Sequence, residues 1–166
     1  MTLDPGGKTR VAIRFARTAA TALVRASDAP VRVTPLARFS PAGEIPFHWH
    51  SRGDSTRKRI ASLADSAKKS DAHQCIFPPW TEGGHTASFN PGAAPFSLVA
   101  ETGHGAVPLD PAHSETKLVH PARVFPVHTV LGASVHDAVL VVFEEDTNGD
   151  YQDALILIEN VRPVTD

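Results

Sequence analysis

Two apolar runs near the C-terminus, Ala138 to Phe143 and Ala154 to Ile158, constrain the fold more than any other feature of the chain. Each is short, built of β-branched and long aliphatic side chains, and free of the polar alternation that marks a strand with one wet face. Such runs are strands buried on both faces. The segment between them, Glu144 to Asp153, is acidic and reads as the turn that joins them.

The rest of the chain reads as further short strands. Its 14 prolines are spread along 166 residues rather than clustered, which favours strands broken by turns over long helices. Val11, Ile13 and Phe15 alternate with polar or small neighbours as in a half-buried strand, and Thr21 to Arg25 and Val31 to Leu36 flank the Ser27-Asp-Ala-Pro30 turn. Phe96, Leu98 and Ala100 alternate after the Phe89 to Pro95 turn, and Arg123 to Leu131 supplies one or two strands more. Glu101 to His120, punctuated by Gly103, Gly105, Pro108 and Pro111, reads as a long loop. Ile60, Leu63, Ala64 and Ala67 fall at helical spacing and allow one short amphipathic helix. The expected fold is all-β, a two-sheet antiparallel β-sandwich of jelly-roll or immunoglobulin-like type with at most one short helix. Residues 1–30 are expected to form N-terminal strands set apart from a sandwich domain over residues 31–166.

Several classes of function are disfavoured by the totals. A net charge of -2 gives no reason to expect a nucleic-acid partner. No apolar stretch is long enough to span a membrane, and no signal peptide is visible. The one cysteine, Cys75, excludes an internal disulfide, and its apolar neighbours Ile76 and Phe77 suit an inert thiol better than a nucleophile. Nor is there a Gly-x-Ser-x-Gly elbow. Glu144 and Glu145, read as strand residues, face opposite sides and form no glycosidase pair.

The acidic turn holds more oxygen ligands than a hairpin requires. Asp146, Asn148 and Asp150 occupy the first, third and fifth positions of a tight loop, Gly149 lets the backbone bend, and the Gln152 carbonyl and Asp153 carboxylate complete a shell of the kind calcium takes. A helix-loop-helix calcium hand is excluded because its twelfth position, counted from Asp146, is Leu157 rather than Glu. The alternative is a solvated turn, since Asp, Asn and Gly are ordinary turn residues.

Five stretches occur in an order that resembles a known module: Val33 to Phe47; His73-Gln-Cys-Ile-Phe-Pro-Pro-Trp80; Ser88-Phe-Asn-Pro-Gly92 onward to Leu98; Ala122-Arg-Val-Phe-Pro126; and Phe143 to Asp153 with Glu159-Asn-Val-Arg-Pro163. This order is similar to a β-sandwich module near the C-terminal end of large exported bacterial proteins, including ones with sugar-dehydrogenase-like propellers. The acidic turn resembles the calcium-type turn of domain-of-unknown-function modules. Upstream, Leu3-Asp-Pro-Gly-Gly7 and the strands after it look like the closing half of an immunoglobulin-like module of bacterial surface proteins. The resemblance implies a secreted or cell-surface setting, a non-catalytic accessory role and a polysaccharide or cell-surface glycan as partner. It departs from the pattern at His48-Trp-His50, where such modules carry an aromatic pair.

That departure opens a rival reading. His48 and His50 lie on the same side of an extended chain, where both imidazoles reach one copper or zinc ion, with a third ligand drawn from the other histidines. A small transition-metal enzyme would follow. Trp49 and Trp80 are the candidates for stacking on a sugar ring, although indoles in a sandwich are more often core. A structural, assembly-forming module with exposed edge strands is the third possibility.

Overall fold

The computed structural model describes residues 2–3, 11–13, 18–39, 43–65, 74–76, 80–114, 121–130, 133–145, 149–151 and 153–164. In chain order the strands are β1 (Thr2–Leu3), β2 (Val11–Ile13), β3 (Ala22–Arg25), β4 (Val31–Phe39), β5 (Ile45–Ser51), β6 (Lys58–Leu63) and β7 (Gln74–Ile76). They continue with β8 (Ala87–Phe89), β9 (Phe96–Thr102), β10 (Gly105–Pro108), β11 (Ala122–Val130), β12 (Ala133–Phe143), β13 (Ala154–Glu159) and β14 (Val161–Val164). One 3-10 turn, Pro111–His113, follows β10.

Two antiparallel sheets result, as the strand-rich sequence led us to expect. The larger runs β1-β2-β11-β12-β13-β4-β7, with β8 also paired to β4; the smaller runs β14-β3-β9-β5-β6, with β10 on β9. β3 carries Leu23 into the same core as the later strands, and β2 pairs with β11.

The two apolar runs sit in the interior of the larger sheet, β12 between β11 and β13, and β13 between β12 and β4. Their side chains divide by parity. Val139, Val141, Phe143, Ala154, Ile156 and Ile158 enter the core between the sheets, while Ala138, Leu140, Val142, Leu155 and Leu157 join a second buried cluster with Leu36, Ala37 and Val127. Strands with both faces covered have no position for a polar residue, which explains the unbroken apolar pattern. Across the main core, Phe47 of the smaller sheet meets Phe143 of the larger edge to face at 5.7 Å and stacks on Trp80 at 6.3 Å.

Prolines fall where a ladder loses least. Pro163 lies on the edge strand β14 and Pro108 on the edge strand β10. Pro35 marks a shift of register, since Leu155 pairs Ala37 and Ile156 pairs Pro35, leaving Leu36 as the extra residue. A bulge of this kind turns consecutive side chains to one face, so Leu36 and Ala37 both reach the second cluster.

Two expectations are corrected. The segment bearing Ile60, Leu63 and Ala64 is not helical: Lys58–Leu63 is β6, paired with β5. A register shift between Phe47 and His48 leaves Ile60 unopposed, so Ile60, Ala61 and Leu63 all pack toward the core and break the period of two. The broken period imitates helical spacing. Ala67 lies outside the described residues. The long loop from Glu101 is instead the β9–β10 hairpin and the 3-10 turn, with Val107 and Leu109 buried in the core, as far as residue 114.

Buried Arg38, with 1% of its surface exposed, ties the layers at one end: its guanidinium donates to the Gly43 carbonyl at 2.7 Å and the Ala64 carbonyl at 2.9 Å. The cross-sheet aromatic contact yields a direct test of the packing. Phe47→Ala removes a fully buried ring from between two sheets and should cost about 3–5 kcal/mol, read as a lowered urea midpoint with little change in slope.

Candidate functional site

The C-terminal turn begins where β12 ends at Phe143. The Glu144 N–H donates to the Pro121 carbonyl at 2.9 Å, and Glu144 and Glu145 are both buried. They were expected to alternate across a strand; the strand stops one residue earlier, and both side chains turn inward. Glu144 Oε2 accepts the Tyr151 N–H at 2.7 Å, and Asp153 Oδ2 accepts the Glu145 N–H at 2.6 Å. The Asp153 carbonyl in turn accepts the Phe39 N–H at 3.3 Å, fastening the turn to β4. Gly149 (φ 72°) and Tyr151 (φ 56°) take the left-handed conformation that lets the chain reverse, and the Arg123 guanidinium lies 3.5 Å above the Tyr151 ring.

Of the proposed cation ligands, Asp153 is buried and Asp150 is exposed, while Asp146, Asn148 and Gln152 lie outside the described residues. Asp153 joins two carboxylates that the spacing of the turn did not single out, Glu144 and Glu145. Only their position directly after an apolar run hinted that they follow it into the interior. Burial pushes the Asp153 carboxyl up to about 7; the Glu145 N–H opposes this, while the charges of Glu144 and Glu145 and a hydrogen bond with Glu144 add to the rise. Three acidic side chains in one buried corner repel one another when ionised, and a shared proton or a cation relieves them.

His48 and His50 project from the outer side of β5, as their spacing requires, while Phe47 and Trp49 point into the core. The two imidazoles have different partners. His48 Nδ1 lies 3.6 Å from Glu101 Oε1, and burial lowers the pKa of His48 against the opposing pull of that carboxylate. His50, 4% exposed, directs Nδ1 at the Asp54 carbonyl at 2.8 Å and meets the His113 ring edge to face at 5.6 Å. Among the described residues no three His, Cys, Asp or Glu side chains are arranged to hold a metal ion. His73 and His120 fall outside them.

The indoles are corrected as sugar platforms. Trp49 and Trp80 are buried at 7% and 2% exposure, Trp49 stacked on Phe89 at 5.4 Å with the Lys58 ammonium 4.5 Å from its ring, and Trp80 against Phe47. Their apolar faces contribute to the core, and neither is presented to a pyranose. No helix among the described residues is long and apolar enough to cross a membrane. Comparison of the chain with protein-family models, with curated proteins and with solved structures gives no match in any of the three.

The elevated Asp153 carboxyl fixes the sign of a pH effect. Its pKa in the fold lies above that of an unfolded aspartate, so its contribution is full below about pH 4 and is lost as pH rises through about 7. In chelator, the urea midpoint should fall across that window. Asp153→Asn, which keeps an oxygen for the Glu145 N–H, should flatten the fall; an equally steep profile in the variant would locate the effect elsewhere.

Proposed function

We propose that this chain is a non-catalytic, calcium-binding accessory module of an exported bacterial protein, with the ion serving to order the C-terminal β12–β13 turn. The observation that carries the reading is the burial of Asp153 beside Glu144 and Glu145, negative charge that a cation in the adjoining turn would offset, although the three are not themselves arranged as a metal-binding group. Calcium prefers six to eight oxygens and tolerates irregular geometry, which suits an oxygen-rich strand-to-strand turn. Asp146, Asn148 and Asp150 supply the outer ligands on this reading, and the buried carboxylates supply charge behind them. Magnesium, with its stricter octahedron and retained waters, suits such a turn less well.

The exported setting rests on the resemblance of the five ordered stretches. The glycan partner that the same resemblance implies draws no support from Trp49 or Trp80, so the proposal is confined to the cation and its structural role. The transition-metal rival at His48 and His50 is weaker, because each imidazole has its own neighbour.

Calcium that binds the native turn and not the unfolded chain raises stability by about 2.7 kcal/mol when present at a hundred times its dissociation constant. Added calcium should therefore raise the melting temperature at neutral pH and chelator should reverse the gain, with Asp146→Asn/Asp150→Asn abolishing the response. A melting curve indifferent to calcium and chelator would refute the reading.

A further inference from the structure

A second site lies on the outer face of the smaller sheet, apart from the acidic turn. A cavity of about 190 Å³ is lined by His50, Ser55, Arg57, Val99, Pro108 and His113. Its apolar side comes from Val99 of β9 and Pro108 of β10, which pair in register, and its walls come from the loop after β5 and the 3-10 turn. Of the polar side chains in this lining, Ser55, Arg57 and His113 are able to donate a hydrogen bond, and none is a carboxylate.

The acidic residues nearby have partners of their own, two of them in the lining. The Asp54 carboxylate accepts the Thr56 N–H at 2.8 Å, and the Asp110 carboxylate accepts the Ala112 N–H at 3.0 Å while lying 3.9 Å from His113 Nε2. Glu101 takes one Arg57 nitrogen at 3.0 Å, holding the guanidinium in place beside the cavity. The loop is itself pinned, with the Asp54 N–H on the Ser51 carbonyl at 3.0 Å and the Arg52 N–H on the Pro95 carbonyl at 2.9 Å.

His50 is oriented by the same loop. Its Nδ1 meets two carbonyl oxygens, Asp54 at 2.8 Å and Ser51 at 3.1 Å, and a carbonyl only accepts. Nδ1 therefore carries the proton, and Nε2 is the nitrogen that remains to meet a ligand. In that tautomer Nε2 accepts, and a ligand hydroxyl such as that of hydrogen phosphate supplies the proton.

From this lining we propose that the His50–His113 cavity binds a small oxyanion, a carboxylate or phosphate group of a small molecule, held by Arg57, Ser55 and the two imidazoles with any short apolar portion against Val99 and Pro108. The cavity exceeds a bare phosphate in size and admits a compact organic acid. A charge-assisted bond from a guanidinium is among the strongest that such a group finds on a protein surface.

The test is a titration of the whole chain with sodium phosphate and, separately, with sodium acetate, followed through the histidine ring proton resonances at constant ionic strength with chloride as the control. Saturable shifts of the His50 and His113 resonances with either salt, absent with chloride, are expected, and the salt that binds more tightly identifies phosphate or carboxylate as the preferred group. Arg57→Gln and His113→Gln, both at exposed positions, should each weaken binding about tenfold, the loss of one charge-assisted hydrogen bond, with the backbone amide spectrum otherwise preserved. No saturable shift with either salt, or shifts that survive both substitutions at full affinity, would overturn the proposal. Calcium dependence of the melting temperature is independent of every one of these outcomes.

Discussion

The pairing of β12 with β13, with apolar side chains leaving both faces, is the interaction on which the rest of the structure depends. One face closes the core between the sheets through Val139, Val141, Phe143, Ile156 and Ile158; the other builds the second cluster with Leu36, Ala37 and Val127. A ladder covered on both sides excludes water from its hydrogen bonds and removes a large apolar area from solvent, so neighbouring strands gain a template as well as a partner. β11 and β4 take their registers from it, along Ala122 to Val127 on one side and Arg32 to Arg38 on the other.

The same pairing forces the chemistry of the turn. A chain leaving β12 at Phe143 is still inside the protein, and the next two residues are glutamates. The Tyr151 N–H supports the buried Glu144 carboxylate and the Asp153 carboxylate takes the Glu145 N–H, so the reversal is built from side chains acting on the main chain. Hydrogen bonds to backbone donors favour the charged form, burial and mutual repulsion oppose it, and for Asp153 the opposition wins. A corner with that balance is one where a proton or a cation changes the stability of the final hairpin.

Much of the architecture was legible in order along the chain. The unbroken apolar runs announced strands with two covered faces, and the dispersed prolines announced short strands, because the pleated ladder tolerates proline only at edges and bulges, where Pro163, Pro108 and Pro35 lie. The spacing of His48 and His50 announced one shared face. Bulges were not legible. A single extra residue, Ile60 or Leu36, reverses the facing of every side chain beyond it and makes a strand imitate a helix or hide two neighbours on one side. The indoles were equally undecided, since a tryptophan reads the same whether it fills a sandwich or meets solvent.

The sequence by itself determined the all-β class, the place of the acidic turn and the shared face of His48 and His50, because these follow from periodicity and from local backbone preference. Only the tertiary structure decided that Glu144, Glu145 and Asp153 share one buried corner, that Trp49 and Trp80 belong to the core, and that His50 is matched with His113 rather than with His48. Each of those three depends on residues distant along the chain coming to one point. Strand register and the packing of one sheet on the other set that meeting, and neither is written in the spacing of any single segment.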